Sequence, residues 1–99
     1  MTAAQAFLDE RRAHPRQRVF KRVKAVFNSR GSVIDCVMRD ISAGGARLSC
    51  PTAAQMPDQF QLLFVAEREI RDVRVVWRSL TEFGVQFMSP PRRALHLLA

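Results

Sequence analysis

Between Arg18 and Phe87 the apolar residues recur with a period of two, in runs too short for helices. This constrains the fold more than any other feature of the chain, because alternation of that period puts one face of a strand in a core and the other in water. Val19, Val23, Ala25 and Phe27 share one parity, with Lys21 breaking the row and Arg22 and Lys24 on the other. Asn28-Ser29-Arg30-Gly31-Ser32 is a turn, and Val33–Ile41 is a second strand. Ala46–Cys50 is a short third, stopped by Pro51, and Pro51 to Pro57 is a loop of small residues. Phe60, Leu62 and Phe64 alternate with Gln61, Leu63 and Val65 in a fourth strand. Ile70–Arg78 is a fifth, with Val73, Val75 and Trp77 on one parity and Arg74 and Arg78 on the other; Glu67-Arg68-Glu69 is the tight link before it. Phe83, Val85 and Phe87 form a sixth, ended by Pro90-Pro91. Several short strands with turn residues between them predict an antiparallel barrel or sandwich.

A chain of 99 residues suggests one domain, and a hydrophobic fraction of 47% argues against disorder. Residues 3–12 predict a short helix that Thr2 could cap, with only Phe7 and Leu8 giving it apolar grip. Pro15 ends any helix near His14, which makes the arginine stretch Arg11–Arg16 a mobile linker between helix and sheet. Arg92 to Ala99 could start a second helix. The expected division is an N-terminal helix and arginine-rich arm over residues 1–17, a barrel over 18–89, and a short C-terminal helix or tail over 90–99.

The net charge of +7 implies an anionic partner or surface. The excess is local: residues 11 to 30 hold eight Lys or Arg and no acid, so the rest is near neutral. No apolar run approaches the roughly 20 residues that span a bilayer, and Met1 to Glu10 lacks the basic start of a signal peptide. Cys36 and Cys50 therefore read as reduced, packed thiols in a cytosolic protein.

Two stretches carry the chemistry. Arg11-Arg12-Ala13-His14-Pro15-Arg16 offers three guanidiniums, the groups best suited to bidentate recognition of phosphates and of the guanine O6/N7 edge. Asp40-Ile41-Ser42-Ala43-Gly44-Gly45 is a shaped turn between two strands, in which Asp and Ser can bond nearby N–H groups and Gly tolerates positive φ. Read separately, the first could be a solvated basic linker and the second a plain β-turn.

Together they resemble the PilZ domain family. Arg12 and Arg16 meet its Arg-x-x-x-Arg motif, and Asp40, Ser42 and Gly45 meet its Asp/Asn-x-Ser-x-x-Gly motif. Val75-Val76-Trp77-Arg78 and Gly84-Val85-Gln86-Phe87 follow downstream, so the likeness runs from about Glu10 to Met88. The resemblance implies a six-stranded antiparallel β-barrel, often with a C-terminal helix, and a bacterial receptor for the second messenger cyclic di-GMP.

That ligand has two phosphodiesters and two guanines. Arg12 and Arg16 would bond phosphate oxygens or a guanine edge, or stack on a base. Asp40 would accept from guanine N1–H and N2–H₂, or only shape the turn. Ser42 would donate or accept, and Gly45 would allow close backbone approach. Trp77 is either a stacking surface or a core or rim residue. A basic residue ahead of the first motif, here Arg11, is similar to members that bind an intercalated pair of ligand molecules; otherwise Arg11 is a surface charge. The expectation is two cyclic di-GMP molecules per monomeric domain, an arm that orders on binding, and a downstream protein partner the sequence does not name.

Two other readings remain: a basic small barrel that binds nucleic acid, and a PilZ-like interaction module without ligand binding. The first is weakened by the absence of Tyr, the single Trp and the clustering of charge in one arm. Intact Arg12, Arg16, Asp40, Ser42 and Gly45 weigh against the second. His14, His96, Cys36 and Cys50 lack metal-ligand spacing, Ser42 lies in no nucleophile elbow, and nothing suggests catalysis or a cofactor.

Overall fold

A computed structural model describes residues 15–29 and 31–94. The strands in chain order are β1 (Gln17–Phe27), β2 (Ser32–Ile41), β3 (Gly45–Ser49), β4 (Gln59–Phe64), β5 (Glu69–Arg78), β6 (Glu82–Phe87) and the two-residue β7 (Arg92–Arg93). Each of the six alternating runs has become one strand. All pairings are antiparallel, in the order β4-β1-β2-β3-β6-β5, and β4 also pairs with β5. That last pairing closes a six-stranded antiparallel barrel. Closure leaves the ring without a free edge at which another chain could add.

The inner face follows the alternation read from the sequence. Val23, Met38, Leu48, Leu62, Val73 and Phe83 are the large side chains most completely buried there. Burying each contributes about 1.5–3 kcal/mol. Phe60 meets Phe83 edge to face, with ring centroids 5.9 Å apart. The small-residue loop is more ordered than its sequence suggests: Ala53–Gln55 form one 3-10 turn, and Ala53 and Met56 are buried in the main core. Val26, Leu63, Ile70 and Ala94 form a second, smaller cluster. Leu63 alternates with the inward Leu62, so this cluster lies outside the barrel wall.

The predicted helix starting at Arg92 is corrected: Arg92 and Arg93 are extended and pair with Ile70 and Glu69 of β5. Pro90 and Pro91 disfavour helical backbone just ahead of them. The Arg92 guanidinium also bonds the Asp72 carboxylate at 3.2 Å, tying the segment to β5. Residues 95–99 and the helix predicted over 3–12 lie outside the described residues.

Three register shifts interrupt the ladders. They fall between Arg18 and Lys21 of β1, between Met38 and Asp40 of β2, and between Val75 and Trp77 of β5. In each case the named strand carries one more residue than its partner, which is a β-bulge. In β2 and β5 the bulge reverses the side-chain alternation beyond it, whereas β1 keeps its inward parity from Phe27 to Val19, and this decides the layout of the site.

Candidate functional site

The registers place five residues in one line across the barrel. Arg18 faces Asp40, Asp40 faces Arg47, Arg47 faces Gly84, and Gly84 faces Trp77. The line crosses β1, β2, β3, β6 and β5 in turn. It lies on the outer face, because the residues flanking Arg47 and Gly84, namely Ala46, Leu48, Phe83 and Val85, belong to the core.

Asp40, second in this line, is the buried charged residue among those described, 8% exposed. Arg16 Nη1 donates to its Oδ1 at 2.5 Å, and Arg47 Nε donates to its Oδ2 at 2.8 Å. Arg47 Nη1 continues to Glu82 Oε2 at 2.8 Å. Burial alone would raise the Asp40 pKa; the hydrogen bonds from Arg47 and Arg16, with their charges, outweigh it and hold the carboxyl below its ordinary value. The carboxylate is thus ionised, with a cation on each oxygen. Arg16, from the first motif, and Asp40, from the second, meet directly although 24 residues separate them.

Ser42 and Gly45 close the turn between β2 and β3. The Ser42 N–H donates to the Gly45 carbonyl at 2.8 Å, and the Ser42 hydroxyl donates to the same oxygen at 3.3 Å. The expectation of positive φ in this turn is corrected, since no described glycine has it. Gly45 serves close backbone approach, here of one strand to another. A Cβ there would sit 2.2 Å from the Val85 carbonyl oxygen, so its missing side chain lets β3 approach β6. A Cβ on Gly44 would meet nothing.

Trp77 is 43% exposed and lies over Gly84, where an added Cβ would come 2.0 Å from the indole Nε1. Its sequence parity matched that of Val73 and Val75, which favoured the core. The bulge after Val75 overturns that inference: Val75 pairs with core Val85, whereas Trp77 pairs with outward Gly84. Arg78, now opposite core Phe83, reaches past the barrel end to the Met56 carbonyl and to Asp58.

A family model described as "PilZ domain" matches residues 10–99. The chain belongs to the PilZ family. PilZ domains are binding modules rather than a known enzyme family, and membership supports a cyclic di-GMP-binding module in general. No curated protein matches the chain.

Of the residues expected at the PilZ site, Asp40 and Arg16 are in contact, Ser42 and Gly45 bond each other at the adjacent turn, and Trp77 ends the same line. Arg11 and Arg12 lie outside the described residues. Sequence reasoning missed Arg47 and Glu82. A signal for Arg47 existed: the hairpin register Ile41↔Ala46 sets an acid opposite a base one step further out. Among the described residues no acidic, His and Cys cluster could hold a metal, and no helix is long and apolar enough to cross a membrane. Cys36 and Cys50 are free and buried, as expected, and burial foremost pushes the Cys36 thiol up to about 12.

Proposed function

We propose that this PilZ domain is a receptor for cyclic di-GMP. Arg12 and Arg16 engage its phosphates or guanine edges, Asp40 accepts from guanine N1–H and N2–H₂, and Ser42 bonds the ligand from the turn. Gly45 keeps the backbone there close enough for contact, and Trp77 offers an open indole face for stacking. The observation that carries this reading is the 2.5 Å contact between Arg16 and Asp40. It supports a shared role for the two motifs, because both reach one patch of the outer wall. The Arg16 side chain is 57% exposed and its carboxylate partner 12%. An exposed cation on a sheltered anion is an arrangement a ligand can open. Arg11 extends the set to a second, stacked ligand, so two molecules bind per monomeric domain. Repositioning of the arm alters the surface seen by a downstream protein in the cytoplasm.

The test is calorimetric titration with cyclic di-GMP, with GMP and single-stranded DNA as controls. Trp77 is the single tryptophan and the chain has no tyrosine, so intrinsic fluorescence reports this position alone. Saturable binding at two ligands per domain, with quenching of Trp77, is expected. Saturation at one ligand removes the pair of ligands and leaves the receptor. Tight binding of DNA with none of cyclic di-GMP overturns the receptor.

A further inference from the structure

We infer that Arg47 is a positioning residue of the ligand site: it holds Oδ2 of Asp40 permanently, so that a ligand exchanges with Arg16 at Oδ1 and not with Arg47. This deepens the cyclic di-GMP reading and rests on it.

The two guanidiniums on Asp40 are not equivalent. Arg16 precedes the barrel, and its side chain is 57% exposed. Arg47 projects from the middle of β3, between two paired strands, and is 36% exposed. It is also anchored twice, through Nε to Asp40 on β2 and through Nη1 to Glu82 on β6. Among the described residues, moving it would break two charge-assisted bonds, whereas moving Arg16 breaks one. An ionised carboxylate has about four acceptor sites. Oδ2 can therefore keep Arg47 while accepting one guanine donor, and Oδ1 accepts the other once Arg16 leaves. The displaced Arg16 is then free for the ligand's phosphate or base.

Arg47 has a second effect on the same carboxylate. Asp40 faces Arg18 on β1, Arg47 on β3 and Arg16 from the chain ahead of β1, and Arg47 links it to Glu82 on β6. When Arg16 departs, burial still favours the protonated acid, and a protonated acid cannot accept both guanine donors. Arg47 keeps the group ionised through the exchange.

The test uses the full chain and cyclic di-GMP, followed by calorimetry at about pH 7 and about pH 4.5. Wild type should bind with little change between the two. Arg47→Ala should lose about tenfold or more at the higher pH, the worth of one charge-assisted bond, and lose further at the lower pH. Arg47→Lys should recover part of the affinity and the flat profile, and Glu82→Gln should show a smaller loss of the same kind. Arg47→Gln, which keeps a donor without the charge, covers the case in which Arg47→Ala does not fold. Its free-state Asp40 carboxyl, followed by carbon NMR, should titrate higher than in wild type. Wild-type affinity and pH profile in folded Arg47→Ala or Arg47→Gln overturn the inference and leave the receptor standing. A wild type that does not bind cyclic di-GMP overturns both.

Discussion

Replacing Gly45 by Ala tests whether this motif glycine serves the fold or only the ligand. The new Cβ would lie 2.2 Å from the Val85 carbonyl oxygen, against the 3.4 Å at which ordinary contact begins, so β3 and β6 must part by about 1.2 Å. The obstacle is backbone and cannot swing away. The Phe87 N–H to Gly44 carbonyl bond, 2.9 Å long, ties the end of β6 to the residue just ahead of β3 and would stretch out of range. Overpacking of this kind costs about 1–3 kcal/mol, and a lost hydrogen bond about 1 kcal/mol more. The expected loss is about 2–4 kcal/mol, read as a lower midpoint in urea unfolding followed by Trp77 fluorescence. Gly84→Ala is the control, because there the added Cβ meets the indole of a half-exposed tryptophan. It should displace Trp77 and change its emission while costing less stability than Gly45→Ala. A Gly45→Ala protein within about 0.5 kcal/mol of wild type would refute the close-approach argument. The glycine would then have to be explained by the ligand alone.

Arg16→Ala and Arg12→Ala should each weaken cyclic di-GMP binding about tenfold or more. Arg16→Ala should move the urea midpoint little, because an exposed partner contributes about 0–1 kcal/mol; unchanged affinity in both variants would remove them from the site. Asp40 and Asp72 are held below the ordinary carboxylate value in the folded state, Asp40 by Arg47 and Arg16 against its burial, Asp72 first by Arg92. Their contribution is present above the unfolded value of 3.8 and is lost as pH falls through the lower folded values, so acid unfolding should begin below about pH 4 and Asp40→Asn should flatten that limb. Cys36 runs the other way: its thiol is raised from 9.0 to about 12, so its contribution is complete below 9.0 and declines as pH rises towards about 12. Iodoacetamide at about pH 8 should leave Cys36 unmodified until urea unfolds the barrel; rapid labelling of the folded protein would contradict its burial.

The strands were legible because each commits one face to a single core. Phe60, Leu62 and Phe64 announce β4, and Phe83, Val85 and Phe87 announce β6, through alternation alone. Arg16 and Asp40 were legible as a pair only through the family resemblance, since nothing local predicts a contact across 24 residues. Close backbone approach, read for Gly45 toward a ligand, occurs there toward β6, and the positive φ that glycine tolerates is not used in this turn. Positive φ falls instead on Asn28, Ser29 and Arg68, where the tight links of the β1–β2 and β4–β5 hairpins require it. Strand β7 was missed because two residues carry no period.

The bulges were the deeper obstacle, and they explain why the site lies where the alternation fails. Were β2 regular through Arg39, Asp40 would share the face of Met38, whose side chain is fully buried. A carboxylate there would lose its water among apolar side chains, at a cost of several kcal/mol, or give up its charge. With the bulge it turns outward to meet Arg47 on the neighbouring strand and Arg16 from the chain ahead of β1. The bulge after Val75 does the same for Trp77, which would otherwise continue the inward row of Val73 and Val75. The bulge in β1 leaves Val19 against the core while Phe20 stands 73% exposed, and beyond it Arg18 lies opposite Asp40. Three separate strands break register next to residues of one line, at Arg18, Asp40 and Trp77. The breaks in β2 and β5 take a carboxylate and an indole from positions the core would reject or hide and deliver them to the outer wall, while β1 keeps its alternation and sets the outward Arg18 opposite Asp40. Arg47 and Arg18 reach the outer wall by plain alternation, and the departures from period two in β2 and β5 bring Asp40 and Trp77 out beside them.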